Sequence, residues 1–233
     1  QHYSEHFPHI IGRTSITEVD QIQIIEGLVG ELKLNLLKPF GDPTHYVRAI
    51  LQGINSLKRE GVSADEFSKL VLEEVRLFEA REDLRHEKGA HAGKMKGEHQ
   101  KFLKLLNKNK ELSEVYLAYQ EKLAEGKIYD FNDMIMEVLG VLSKNQSFLR
   151  ALQEAYQYVL VDEHQDTNNA QNKVLELLCG FHPNPNIFVV GDEKQAIFRF
   201  QGASLENFLY FQNRYKKAVL IQLQENRYRI LLI

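Results

Sequence analysis

The sequence contains no tryptophan and a single cysteine, Cys179. One cysteine excludes an intrachain disulfide, so no framework of bridges holds this chain together. Nowhere does an uninterrupted apolar run approach the roughly 20 residues that cross a bilayer, and the opening Gln1-His2-Tyr3-Ser4 has no signal-peptide shape. The expectation is a chain without a membrane segment, in a reducing compartment such as the cytoplasm. There is no initiator methionine at the start, so the chain is expected to begin inside a longer protein. Neither sign of charge is in excess: 29 Lys and Arg stand against 32 Asp and Glu, a net charge of −3. That balance excludes little, because a nucleic-acid binder can carry its positive charge locally. No internal repeat or low-complexity tract is present. With 233 residues, 43% of them hydrophobic, the chain can bury one sizeable core or two small ones.

Two textures divide it. Residues 1–125 read as helical. Ser15-Ile16-Thr17-Glu18 has the pattern of a capping box, followed by Ile22, Ile25, Val29 and Leu32 at helical spacing. Gly41-Asp42-Pro43 breaks the chain. Tyr46, Val47, Ile50, Ile54 and Leu57 form the next apolar stripe. Ser63-Ala64-Asp65-Glu66 is a second capping box, opening a helix through Phe67, Leu70, Val71, Val75 and Phe78. From residue 126 to 233 the pattern alternates between helix and strand. Phe131, Ile135, Val138, Leu139 and Leu142 mark a helix. Tyr158–Val161 and Asn186–Val190 read as buried strands, with a helix between them (Val174, Leu175, Leu177, Leu178) stopped at Gly180. A helix near 204–214 leads to a third strand, Ala218–Ile221. This order predicts an α/β fold with a parallel sheet, preceded by a mainly helical unit. In such sheets ligands bind at the carboxyl ends of the strands.

Lysines crowd residues 85–110: Lys88, Lys94, Lys96, Lys101, Lys104, Lys108 and Lys110, with glycines at 89, 93 and 97. Taken alone the stretch reads as a solvated loop running into an amphipathic helix; the functional alternative is a phosphate-contacting patch. His86, His91 and His99 have no common metal-ligand spacing, and neither do His2, His6 and His9.

Asp162 and Glu163 directly follow the first strand. There one carboxylate can hold Mg²⁺ through intervening waters while the next orients or deprotonates an attacking water. An isolated Asp-Glu would more simply be an exposed acidic turn. This one lies within Tyr158-Val-Leu-Val-Asp-Glu-His-Gln-Asp-Thr-Asn168, with Gln171 beyond, and Val189-Val-Gly-Asp-Glu-Lys-Gln-Ala-Ile-Phe-Arg-Phe-Gln-Gly-Ala-Ser204 stands downstream. These two stretches resemble motifs II and III of the UvrD/Rep group of superfamily 1 DNA helicases. Tyr129-Asp130-Phe131-Asn132-Asp133-Met134-Ile135 resembles the segment that re-enters the motor domain after a helical insertion. Leu37–Asp42 and Lys58–Gly61 resemble the insertion itself. The resemblance is dense over 129–229 and thinner over 10–125.

The resemblance implies a partial P-loop NTPase, or RecA-like, parallel sheet carrying a mainly helical inserted subdomain. It implies ATP and Mg²⁺ as cofactors, and single-stranded DNA or a duplex/single-strand junction as partner, with 3′→5′ polarity. Asp162 would coordinate the metal and Glu163 would be the catalytic base. Gln195 would sense the γ-phosphate, and Arg229, with Arg227 as rival, would reach the nucleotide. Phe198 and Phe200 would stack on bases, with core packing as the plain alternative; Lys94, Lys96, Lys101 and Lys104 would touch phosphates. Motif IV is imperfect: Leu223-Gln-Glu-Asn-Arg-Tyr-Arg229 carries an extra residue and lacks the serine of the family pattern.

One requirement of ATP hydrolysis is absent from these 233 residues. A P-loop reads Gly-x-x-x-x-Gly-Lys-Ser/Thr, and its backbone N–H groups cradle the phosphates. The nearest look-alike, Gly89-Ala-His-Ala-Gly93-Lys94-Met95, is one residue short and has Met where a hydroxyl is needed. The expectation is a helicase fragment that lacks the P-loop segment and second motor domain and is inactive alone. The alternative is a non-catalytic module that binds DNA or a protein partner.

Overall fold

Four helices open on reciprocal capping boxes, in which N-cap and N3 side chains each accept the other's backbone N–H. The pairs are Thr17 with Asp20, Ser63 with Glu66, Asp130 with Asp133, and Asn168 with Gln171. The computed structural model describes residues 3–86, 93–191, 211 and 213–221. In chain order its elements are β1 (Thr14–Ser15), α1 (Glu18–Glu31), α2 (Val47–Arg59), α3 (Ala64–Glu79), α4 (Gly97–Glu125), β2 (Ile128–Tyr129), α5 (Phe131–Lys144), α6 (Gln146–Ala155), β3 (Val159–Val161), α7 (Asn169–Cys179) and β4 (Ile187–Val189). Among the described residues the fold is mostly helical, with two small parallel sheets, β1–β2 and β3–β4.

The apolar stripes of the first half meet in one core. Ile25 and Val29 of α1, Val47, Ile50 and Ile54 of α2, and Val115, Tyr116, Tyr119 and Leu123 of α4 are all buried in it. Each such side chain contributes about 1.5–3 kcal/mol when fully removed from water. α3 runs along α4, with the Phe78 and Phe102 rings 5.4 Å apart. A carboxylate fixes the chain between α1 and α2: Glu111 accepts the backbone N–H groups of Asn35, Leu36 and Leu37 at 2.8–3.0 Å. The second half has its own cluster around Leu142, Phe148 and Leu149, joined by Tyr3 and Phe7 from the start of the chain.

Three expectations are corrected. Ser15 does not cap α1. It lies in β1, where Thr14 and Ile16 donate to the carbonyls of Lys127 and Tyr129, so the cap falls to the next side-chain oxygen, Thr17. Ala218–Ile221 forms no strand, and Val219, Leu220 and Ile221 are exposed. β3 and β4 are not buried strands. Leu160 and its register partner Phe188 are 76% and 57% exposed, because no described element covers their face. Gly180 does stop α7, but with φ at −69° rather than in the left-handed region. Most of 204–214 lies outside the described residues. The helix expected over 131–142 is α5, and the Ser63 box opens α3 as the sequence predicts.

Between the two cores lies a buried charge cluster. Lys58, 1% exposed at the end of α2, donates to Asp130 at 2.5 Å and to Asp133 at 2.6 Å. The Tyr119 hydroxyl donates to Asp130, and the Gln120 amide to Asp133. These contacts bind α2 and α4 to the first turn of α5. Two carboxylates share one ammonium here, and burial holds the Asp133 carboxyl above the usual carboxylate range, against the pull of Lys58. A raised pKa in the folded state means stability that is complete below the ordinary carboxylate value and lost as pH rises through the raised one. Asp133→Asn removes that loss. Melting of the two proteins across about pH 4 to 8 should show the difference moving in favour of the Asn variant as pH rises; a constant or opposite difference contradicts this origin.

Candidate functional site

β3 and β4 run parallel in the register Val159–Ile187, Leu160–Phe188 and Val161–Val189, so their carboxyl ends lie side by side. Val190 N–H donates to Val161 O and His164 N–H to Val190 O, closing the pair at that end. Asp162 and Glu163 project from it, both exposed. Glu163 has φ 49° and ψ 41°, the left-handed region that non-glycine residues seldom occupy. That conformation turns the chain sharply off the strand into the short turn His164–Asp166. Such backbone strain persists where the surroundings hold it, and it clusters at functional sites.

The turn is held from beneath. Asp166 and Thr167 N–H groups donate to Glu163 O and His164 O, and the Thr167 hydroxyl also donates to His164 O at 2.7 Å. Asn168 then caps α7 through its box with Gln171. His164 and Gln165 are buried, 1% and 2% exposed. Burial holds the His164 imidazole below its usual pKa, opposed by the Asn172 side chain. Its ring meets Phe211 edge-on at 5.4 Å.

The acidic pair divides into two different environments. Asp162 Oδ1 accepts the Glu163 N–H at 2.9 Å, which fixes the carboxylate and leaves its second oxygen for another partner. A single exposed carboxylate suits Mg²⁺, which keeps several waters and takes one or two protein oxygens. No group of three or more His, Cys, Asp or Glu side chains that could hold a metal ion occurs among the described residues, so nothing there builds a dedicated all-protein cage. Glu163 Oε2 accepts from Gln165 Nε2 at 2.6 Å, which restrains this carboxylate. The arrangement can hold a hydrated cation at Asp162 beside a carboxylate able to accept a proton from water.

The lysines lie on a different element. Lys94 and Lys96 immediately precede α4, Lys96 as its N-cap, while Lys101 and Lys104 are exposed on its first turns. Spacings of three and four place Lys101, Lys104 and Lys108 on one face; Lys108 stands 4.6 Å over the Tyr46 ring. From residue 93 a turn, tied back by the Arg85–Met95 bridge, runs into α4. Gln195, Phe198, Phe200, Arg227 and Arg229 lie outside the described residues. Sequence reasoning misses two groups. Lys58 stands out in the sequence only as part of a motif, though its place four residues after Ile54 puts it on the inward face of α2. Gln165 lies within the acidic motif, where its residue type alone implies no task.

The sequence has counterparts among known proteins. Residues 44–216 match the family model of the UvrD/REP helicase N-terminal domain. The ATP-dependent DNA helicase PcrA of Bacillus subtilis (strain 168) is 31% identical over 207 residues, which is 89% of this chain and 22% of that protein. The PcrA helicase of Leuconostoc citreum is 36% identical over 115 residues, 49% of this chain and 15% of that protein. That of Staphylococcus epidermidis (strain ATCC 35984 / DSM 28319 / BCRC 17069 / CCUG 31568 / BM 3577 / RP62A) is 38% identical over 112 residues, 48% and 15% respectively. The chain thus spans less than a quarter of the length of these relatives.

Proposed function

The chain belongs to the UvrD/REP helicase N-terminal domain family, and from that premise we propose that it is part of an ATP-dependent 3′→5′ DNA helicase, unable to hydrolyse ATP by itself. The observation that carries this reading is the Asp162–Glu163 pair at the carboxyl end of a parallel strand, inside the matched span. Mg²⁺-bound ATP would supply the phosphoryl group. Asp162 would hold the metal through one oxygen and waters, and Glu163 would take the proton of the attacking water. The phosphate cradle would come from a P-loop, which these 233 residues do not contain.

The proposal includes a RecA-like sheet extending beyond β3 and β4. Strands of parallel sheets are covered on both faces, and the exposed Leu160 and Phe188 offer an apolar face for such cover. Residues 1–125 would form the DNA-contacting insertion and 126–233 the motor part. Gln195 and Arg229 would face the nucleotide, and a second motor domain would complete the site. A setting in the cytoplasm belongs to the same reading; no helix among the described residues is long and apolar enough to cross a membrane.

DNA would be gripped without regard to sequence. Lys94 and Lys96 at the start of α4, with Lys101 and Lys104 beyond, suit phosphates, because a helix N-terminus and lysines both favour anions. Binding of a fluorescent oligothymidylate should be weak, roughly 10⁻⁴ to 10⁻⁶ M, and fall steeply with salt. Changing Lys94, Lys96, Lys101 and Lys104 together to alanine should flatten the salt dependence by up to about three units of slope. An unchanged slope makes the cluster a solvated surface.

Phe200→Ala separates stacking from packing. A base-stacking Phe200 predicts DNA binding weaker by about 1–3 kcal/mol with little change in melting. A core residue would instead cost roughly 3–5 kcal/mol of stability; that cost with unchanged DNA affinity contradicts the stacking role. The second reading, a DNA- or partner-binding module with no ATPase of its own, rests on the missing P-loop motif.

A further inference from the structure

Glu163 sits on a backbone that throws its side chain into solvent, and an exposed carboxylate there would sample many rotamers. General-base catalysis needs the opposite, a carboxylate held within hydrogen-bond reach of one water. The contact that restrains it among the described residues is Gln165 Nε2, at 2.6 Å from Oε2. A hydrogen bond to an ionised acceptor is about twice as strong as a neutral one, and Gln165, 2% exposed, is itself fixed by burial.

The other end of the Gln165 carboxamide meets Gly191. A β-carbon built at Gly191 would lie 2.7 Å from Gln165 Oε1 and 3.3 Å from Gln165 N. Gly191 is not among the glycines with positive φ, so backbone freedom does not require glycine there. Space does. Gly191 also follows directly on Val190, whose carbonyl accepts the His164 N–H at 2.9 Å. The stretch after β3 and the stretch after β4 therefore touch through the His164–Val190 backbone hydrogen bond and through the Gln165 side chain.

We infer that Gln165 is a positioning residue for the Glu163 carboxylate, and that Gly191 is glycine so that Gln165 can take that place. The inference rests on the reading of Glu163 as the base. It assigns to Gln165 no contact with substrate or metal. It also makes the start of the second stretch a determinant of where the base points, since any displacement of the backbone at Gly191 toward Gln165 moves the donor.

The test uses the whole 233-residue chain, labelled with ¹³C in its glutamate carboxyl groups, with no nucleotide present. The Glu163 resonance is identified by its loss in Glu163→Gln. Gln165→Met keeps the length and apolar stem of the side chain but removes the donor. It is expected to move the Glu163 carboxyl resonance toward the positions of the exposed glutamates, with the melting temperature kept within a few degrees. Gly191→Ala, which leaves the glutamine in the sequence, is expected to move the same resonance in the same direction. A Glu163 resonance unchanged in Gln165→Met overturns the inference. So does a resonance that moves only in variants that lose their cooperative melting, because Gln165 would then be a packing residue. The readout involves no ATP, so failure of the helicase reading appears in the turnover assay and not here.

Discussion

Replacing Lys58 by methionine is expected to cost about 3–5 kcal/mol of folding stability, the usual result of removing one partner from a buried ion pair. Methionine fills the space of the aliphatic stem but supplies no charge. Asp130, 1% exposed, would keep its Tyr119 hydrogen bond and lose its ammonium at 2.5 Å; Asp133 would lose the same partner at 2.6 Å. Two carboxylates would then face each other within one capping box, with hydrogen-bond donors but no cation to offset them. For a chain of this size the loss corresponds to a fall in melting temperature on the order of 10 °C, followed by circular dichroism because there is no tryptophan. The cost should shrink as pH falls, since burial already raises the Asp133 pKa and protonation removes the repulsion. Lys122→Met is the control. Lys122 is 46% exposed and lies 4.0 Å from Glu31 and from Glu125, so its loss should change stability by less than about 1 kcal/mol. A Lys58 variant no weaker than the Lys122 variant would mean that the cluster does not bind α2 and α4 to α5.

The helices of the first half are legible in the sequence because their apolar residues repeat at helical spacing and the Ser63 box announces a start. Ile25, Val29, Val47, Ile50 and Ile54 fall where the stripes predict. Ser15 misleads because local pattern cannot see a strand partner more than a hundred residues away; β2 claims it. The same blindness hides the Lys58 cluster, whose partners lie 72 and 75 residues further on. Tyr158–Val161 and Asn186–Val190 are recognisable as strands, but their apolar runs suggest burial on both faces. Leu160 and Phe188 are outside because what covers such strands is a tertiary matter. At the site, Asp162 and Glu163 follow from the motif and the strand end. The left-handed turn at Glu163 and the Gln165 bond do not, since a motif names residues and leaves their directions open. Gly191 carries a signal, a glycine straight after a strand, whose meaning depends on Gln165 being opposite it.

The second large effect concerns turnover. Phosphoryl transfer is accelerated almost wholly by positioning and by stabilising charge on the transferring group, and an arginine or lysine clamp alone can be worth on the order of 10³-fold or more. On the proposed reading Asp162 and Glu163 would serve the metal and the water, which is only one side of the reaction. Without a P-loop lysine and its ring of backbone N–H groups, the phosphates have no cradle. The rate for this chain should therefore lie at the background of the assay, with or without DNA, even with the acidic pair at the end of β3. The most direct measurement is steady-state ATP hydrolysis by the purified chain with Mg²⁺ and single-stranded DNA, beside Glu163→Gln made in the same way. The account predicts no turnover above background in either protein. Turnover in the wild-type chain that Glu163→Gln abolishes would contradict it, because half a site would then be doing the work of a whole one.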